Sequence, residues 1–265
     1  MKSYQKFLKS IEKKKTYLCI GLDSDIDKIP NFLKSNKDPI FEFNKAIINS
    51  TSDLTACYKI NFAFYEQLGI NGIESLNKTI EIIPKDIPVI ADVKRGDIGN
   101  TSKKYAQACY DYFKVDAVTV NPYMGYDSVS PFLEYNDKFV FLLALTSNKG
   151  SEDFQRIKSN EKPIFEYVIE KSKTWADYET LGYVIGATHP DELSEIRKKN
   201  KEFILLIPGV GTQGGDIKSI LVANDNNPAI INVSRDIIFS SKDEYFAEKT
   251  REKAIFYKNA LVSIL

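Results

Sequence analysis

The chain has little of several things that would otherwise direct its reading. Among 265 residues there are three cysteines, one histidine, one tryptophan and two methionines. Cys19, Cys57 and Cys109 are odd in number, far apart and without metal-ligand spacing. That argues against a disulfide framework and for buried, reduced thiols. The single histidine, His189 in "GATHPDEL", has no evident serine or cysteine partner and reads as a helix-start residue. An excess of either charge is missing too: 36 basic residues balance 36 acidic ones. No global field draws nucleic acid or an anionic membrane surface. Long apolar runs are absent. The longest, Phe139 to Leu145, is far too short to cross a bilayer. The start "MKSYQKFLKSIEKKKTY" lacks the continuous apolar stretch of a signal peptide. No linker or low-complexity tract divides the chain, so the expectation is one soluble, cytoplasmic domain over residues 1–265.

What is present is a repeat of short apolar runs. Strand candidates lie at 16–23, 56–61, 88–94, 116–121, 138–145, 181–187, 202–208 and 229–235. Between them stand segments with apolar residues at helical spacing, including 41–53, 98–113, 154–172 and 244–264. Near-continuous apolar strands alternating with helices indicate a parallel sheet covered on its faces. Eight such units at this length predict a closed α/β (β/α)8 TIM barrel, with an open doubly wound sheet as the alternative. The polar stretch 146–163 is the longest connection and reads as a loop over one end.

In a barrel the chemistry sits at the carboxyl ends of the strands. This chain places polar groups there repeatedly: Asp23, Lys59 and Asn61, Asp92 and Lys94, Asn121, Thr146 and Arg235. The third strand end, "PVIADVKRGDIGNT", carries Asp92, Lys94, Arg95 and Asp97 within six residues. Strand alternation puts Asp92 and Lys94 on one face, above Ile90, and turns Arg95 outward. Asp97 falls before the next helix, whose amino end favours a carboxylate. An ordinary ion-pair network closing the barrel is the plain reading. Against it, burying several charges stabilises no better than apolar packing would. Lys59, Asp92, Lys94 and Asp97 would alternate in sign. A substrate carboxylate placed beside Asp92 would be repelled, and losing it as carbon dioxide would relieve that repulsion. Lys94 could then protonate the carbon left behind. Decarboxylation without a cofactor or metal fits.

A second constellation follows strands seven and eight. "IPGVGTQGGDI" and "NVSRDI" supply close-approaching backbone at Gly209, Gly211, Gly214 and Gly215, an amide at Gln213 and a guanidinium at Arg235. Loops at these two positions often hold a phosphate in barrels. The pattern lacks the Gly-Lys-Ser/Thr of a Walker loop. Trp175 reads as packing, "EKKK" (12–15) as a solvated helix end, and a Schiff-base role for Lys94 is disfavoured by the carboxylates around it.

With these residues in view, the sequence resembles the orotidine 5'-phosphate decarboxylase family, in its longer bacterial-type subgroup. The resemblance runs from "GLDSD" through "YKINFAFYE", "ADVKRGDIGNT", "NPYMG" and "LTSNKGS" to "PGVGTQGGD" and "VSRDII". It implies decarboxylation of orotidine 5'-monophosphate to UMP in pyrimidine biosynthesis. Lys94 would protonate C6 and Asp92 would face the leaving carboxylate, with Lys59 and Asp97 completing the network. It further implies Asp23 and Thr101 at the ribose, Thr146 and Ser147 at the pyrimidine, and Gln213 and Arg235 on the phosphate. In the family Asp97, Ile98 and Thr101 enter a neighbouring subunit's site, which implies a homodimer with shared sites. Two alternatives remain open. One is a nucleotide-binding barrel without turnover. The other is a magnesium-dependent 3-keto-sugar-phosphate decarboxylase, which would have a carboxylate where this chain has Lys59.

Overall fold

The computed structural model describes residues 1–188, 190–211 and 216–262. His189 and Gln213 therefore lie outside the described residues, as do Gly214 and Gly215. Eight parallel strands close into a barrel: β1 (Leu18–Gly21), β2 (Cys57–Asn61), β3 (Val89–Arg95), β4 (Ala117–Val120), β5 (Phe139–Leu145), β6 (Leu181–Ile185), β7 (Leu205–Pro208) and β8 (Ala229–Val233). Neighbours follow chain order, and β8 returns to β1 with Leu18 opposite Ile231. The strands form where the sequence is densest in β-branched and aromatic residues, and β1, β4, β6 and β8 are buried along their whole length. Each Ile, Leu or Phe so buried contributes about 1.5–3 kcal/mol.

The barrel is closed below by a helix that the strand and helix patterning above does not include, Ser3–Lys14. Tyr4, Phe7 and Ile11 form its apolar stripe, and Lys15 ends it in a left-handed conformation. Phe7 meets Phe139 and Phe141 edge-on, with ring centroids 5.9 and 5.8 Å apart. Ser10 donates to the Ala56 carbonyl at 2.5 Å just below β2. This plug fixes which end of the barrel remains open.

Helices occupy the predicted intervals at Pro39–Thr51, Gly99–Gln107 and Phe246–Ala260. Residues 108–112 extend the second of these as a wider, π-type turn. The helix expected over 154–172 starts only at Ile164. Ahead of it Lys158–Ser159 and Lys162–Pro163 pair as a small antiparallel hairpin. Asn160 and Glu161 turn it with φ of 50° and 63°, and Pro163 is extended at the helix cap. A chain turning through left-handed backbone cannot continue a helix. Strand seven begins at Leu205 rather than 202, because the carbonyls of Glu202 and Phe203 are engaged by Tyr4 and Arg197. No helix among the described residues is long and apolar enough to cross a membrane.

Candidate active site

The carboxyl ends of the strands surround a cavity of about 350 Å³. Asp23, Lys59, Asn61, Asp92 and Lys94 form its charged side, after β1, β2 and β3. Leu143, Val184 and Leu206, from β5, β6 and β7, form an apolar side opposite them. Pro208, Gly209, Arg235 and Asp236 border it where β7 and β8 end. A small ligand would have its charged, apolar and anionic parts sorted by position alone.

Asp92 is the hub of the charged side. Its Oδ2 accepts from Lys59 Nζ at 2.9 Å and its Oδ1 from Lys94 Nζ at 2.6 Å. Lys59 lies 3.6 Å from Asp23 Oδ1 and is 4% exposed, whereas the Lys94 side chain is 50% exposed. Burial opposes both buried charges, but the opposite charges outweigh it. Asp23 and Asp92 hold the Lys59 pKa above the ordinary lysine value. Lys59 and Lys94 hold the Asp92 carboxyl below the ordinary carboxylate range. Asp23 takes the Ser234 hydroxyl on Oδ2 at 2.8 Å, while its buried Oδ1 accepts no hydrogen bond. Leu22 and Ser24 on either side of Asp23 are tied to Tyr65 and Asn44, which fixes the aspartate's backbone.

Strand alternation alone does not bring Asp92 to Lys94. Ala91 pairs with Val118 and Arg95 with Val120, so residues 92–94 stand opposite Thr119 alone. This is a bulge, the usual device for re-aiming a side chain next to a site. Lys94 sits in it with φ of 45°, a left-handed conformation that non-glycine residues seldom adopt. Thr119, 1% exposed, fills the gap in the ladder. Its Oγ1 accepts the Lys94 N–H at 2.9 Å and donates to Asp92 Oδ1 at 2.9 Å. Arg95 turns outward as expected and pairs with Glu66.

On the far rim, Thr146 is clasped by Gln155. Gln155 Oε1 accepts the Thr146 N–H at 2.7 Å and its Nε2 donates to Thr146 Oγ1 at 2.9 Å. Thr146 Oγ1 also donates to Asn148 at 2.6 Å. Ser147 follows on the cavity wall, its backbone packed against Gly186. A Cβ on Gly186 would stand 2.7 Å from the Ser147 nitrogen, so only glycine fits there. Gly209 and Gly211 both have positive φ, 105° and 87°, where the chain leaves β7, and Gly209 borders the cavity.

Of the residues expected in the site, Asp23, Lys59, Asn61, Asp92, Lys94, Thr146, Ser147 and Arg235 line the cavity. Three do not. Asp97 is not a member of the charge network within one chain: its Oδ1 accepts the Ile98 N–H, and it has no ion pair among the described residues. Thr101 is exposed on helix Gly99–Gln107. Asn121 points its amide oxygen at the Tyr123 N–H and shapes the turn after β4 instead. The bulge accounts for the first two, because it carries the chain outward directly after Lys94. Thr119, Asn232 and Ser234 also line the cavity, and Gln155 holds Thr146 at its rim; the sequence reading missed all four, and the hydroxyl of Thr119 amid the valines of "DAVTVN" was the available signal. A larger cavity of about 650 Å³ lies on the flank between helices Ile164–Ser172 and Pro190–Lys199. Its walls are mostly solvated Glu and Lys side chains away from the strand ends.

A family model described as orotidine 5'-phosphate decarboxylase / HUMPS family matches residues 16–250. The chain belongs to that family. A protein of Christiangramia forsetii named orotidine 5'-phosphate decarboxylase is 48% identical over 98% of this chain and 98% of its own length. One of that name from Parabacteroides distasonis is 50% identical over 94% of this chain and 91% of its own. The solved structure of Leishmania donovani OMP decarboxylase superposes with a TM-score of 0.82 at 33% identity, covering 98% of this chain and all of the other. The match takes in every charged strand end that borders the cavity.

Proposed function

We propose that this protein decarboxylates orotidine 5'-monophosphate to UMP in pyrimidine biosynthesis, as a cytoplasmic enzyme, with Lys94 protonating C6. The observation that carries the reading is a carboxylate held ionised on the cavity wall by two ammonium groups, one of them half-exposed toward the ligand space.

The pyrimidine would lie against Leu143, Val184 and Leu206, with its carboxylate toward Asp92 and its phosphate toward Arg235 and the β7–β8 loops. Asp92 and the substrate carboxylate, both negative at short range, repel each other in the bound state. Cleavage of the C6–carboxylate bond leaves its electron pair on C6 and releases neutral carbon dioxide, which removes the repulsion. The charge that grows on C6 is stabilised by the nearby Lys94 ammonium, and transfer of its proton to C6 completes UMP. Lys94 regains a proton from solvent. Lys59 takes no part in proton transfer; it is buried and keeps Asp92 ionised. Its ammonium also stands between Asp23 and Asp92 where the magnesium-dependent reading needs a carboxylate, and this supports the metal-free reaction. At the base, Thr146 and Ser147 are the two rim hydroxyl residues that border the cavity, with Thr146 held in place by Gln155 and Asn148. Asp23, with a buried oxygen lacking a hydrogen bond, suits a ribose hydroxyl.

The active unit would be a homodimer with shared sites. Asp97 and Thr101 face away from their own cavity, and Ile98 between them is 58% exposed. Exposed Tyr123 and Met124 stand on the neighbouring loop, and exposed Tyr126 opens the helix after it. These observations support the segment reaching a second copy. Mixing Lys94→Ala chains with Asp97→Ala chains should restore activity to a fraction of the mixed dimers; a total lack of rescue would remove the shared site.

The reaction is tested by following orotidine 5'-monophosphate by absorbance with purified protein in excess chelator, beside Lys94→Ala. Metal-independent conversion that is abolished in the variant is expected. Folded wild-type protein that binds UMP tightly and releases no carbon dioxide would leave a nucleotide-binding barrel without turnover.

A further inference from the structure

We propose that Thr119 is a positioning residue for this decarboxylation, its hydroxyl locking the Asp92 carboxylate and the Lys94 backbone into one arrangement. The inference rests on the reaction proposed above and adds to it a residue that acts through Asp92 and Lys94.

The argument starts from the bulge. Three residues of β3 oppose one of β4, so the Lys94 N–H has no carbonyl across the ladder. A partly buried N–H left without an acceptor is costly, and Thr119 Oγ1 supplies that acceptor at 2.9 Å. A hydroxyl has one proton to give, and here it goes to Asp92 Oδ1 at 2.9 Å. Both directions are thereby set: the hydroxyl accepts from the lysine's backbone and donates to the aspartate's side chain. The same Oδ1 receives Lys94 Nζ at 2.6 Å, so backbone, ammonium, hydroxyl and carboxylate form a closed ring of contacts. Lys94 holds φ of 45° inside that ring, a conformation that persists only where surrounding contacts over-determine it. Asp92 cannot swing away from an incoming carboxylate without breaking the Thr119 bond. A fixed negative group is what ground-state repulsion requires, because a mobile one would turn away.

Thr119→Val replaces the hydroxyl with a methyl of similar size, in a site already 1% exposed. We expect kcat to fall about 10–100-fold, the scale of a misplaced catalytic group, while KM and UMP affinity stay within about threefold. Thr119→Ser keeps the hydroxyl and should recover most of kcat. Hydrogen exchange at the Lys94 amide, read by NMR on labelled protein with UMP bound, should accelerate in Thr119→Val and return to the wild-type rate in Thr119→Ser. Should Thr119→Val fold poorly, Thr119→Ala removes the same hydroxyl and is read in the same three ways. Wild-type kcat and wild-type Lys94 exchange in the valine variant would overturn the proposal. So would a serine variant as slow as the valine one, since the methyl would then be the important group. A wild-type protein with no turnover would instead overturn the reaction, and the Lys94 exchange rates would still report whether Thr119 holds the bulge.

Discussion

Two buried clusters of charge sit at opposite ends of this barrel, and they are built differently. Below β7 and β8, Arg197 is 1% exposed and pairs with no carboxylate among the described residues. Its guanidinium donates to the carbonyls of Asn200, Phe203 and Pro228 at 2.8–2.9 Å and to Asn224 Oδ1 at 2.8 and 3.1 Å. Burial pushes its pKa down to about 9, still above neutrality. At the rim, Asp92 is ionised by two lysines, Asp23 keeps a buried oxygen without a hydrogen bond, and Lys94 is half-exposed. In the floor cluster the guanidinium spends all its donors joining helix Pro190–Lys199 to the starts of two strands. The rim cluster is incomplete and faces a cavity. Burial of charge marks neither structure nor function by itself; unspent hydrogen-bonding capacity next to empty volume does.

The largest effect should come from breaking the rim at its hub. Asp92→Asn keeps the shape and removes the charge, leaving Lys59 and Lys94 beside a neutral amide. The expected loss in kcat is about 10²–10³-fold or more, the scale for one pre-organised electrostatic group. Removing one partner of a buried pair should also cost about 3–5 kcal/mol of stability. Steady-state kinetics and urea unfolding measure the two. A variant that kept near-wild-type kcat would move Asp92 from the chemistry to the scaffold.

The floor gives the complementary case. Arg197→Met fills similar volume but strands several buried carbonyls, at about 1–3 kcal/mol for each that finds no new partner. Thermal unfolding should drop by several degrees, since a domain of this size shifts by roughly 2–4 °C per kcal/mol. The kcat of the folded fraction should stay at the wild-type value. Loss of kcat at unchanged stability would mean that the two ends of the barrel are coupled.

The contrast was only half legible in the sequence. All eight strands and their order were, because a buried parallel strand must be apolar along its whole length. The charges at Lys59, Asp92 and Lys94 stood out against that background for the same reason. Arg197 did not, since "SEIRKKN" reads as a solvated helix end. Of the N-terminal helix only the solvated end at "EKKK" was legible, its three apolar residues being diluted by lysines, so its role in closing the barrel was not. The bulge in β3 leaves no compositional trace: "ADVKRGD" reads as regular alternation, and only the backbone shows Lys94 in the left-handed region and the chain leaving the rim before Asp97. The hairpin at 158–163 was hidden by aromatic and apolar residues at helical spacing on both sides of it.

A pH series sharpens the comparison further. Asp92 has its pKa depressed below the ordinary 3.8, so its contribution to stability is present above that value and lost as pH falls through the depressed one. Lys59 has its pKa raised above 10.5, so its contribution is present below that value and lost as pH rises through the raised one. Between about pH 5 and pH 9 neither changes. The difference in unfolding free energy between wild type and Asp92→Asn should therefore be flat across that window and shrink in acid below about pH 4. A difference that varied steadily through neutrality would mean that another titrating group is coupled to the rim.

The smallest effect belongs to a third charged cluster, on the flank. Arg156 pairs with Glu192 through both nitrogens of its fork and with Glu152 at 3.0 Å, joining the 146–163 connection to helix Pro190–Lys199. Unlike Asp92 and Arg197 at the centres of the other two clusters, its members are partly solvated, with side chains 17% and 31% exposed for Arg156 and Glu192. Solvent screening limits such a pair to about 1 kcal/mol, even in bidentate geometry. Arg156→Ala should lower stability by about that amount or less, and 0.5 M salt should erase most of the difference. Gln155, the residue before it, clasps Thr146 at the rim, so the same variant also asks whether the flank tether reaches the site. An unchanged kcat would confine Arg156 to the flank. A rise in KM without loss of kcat would show that the connection must be held in place for the pyrimidine side of the cavity to form.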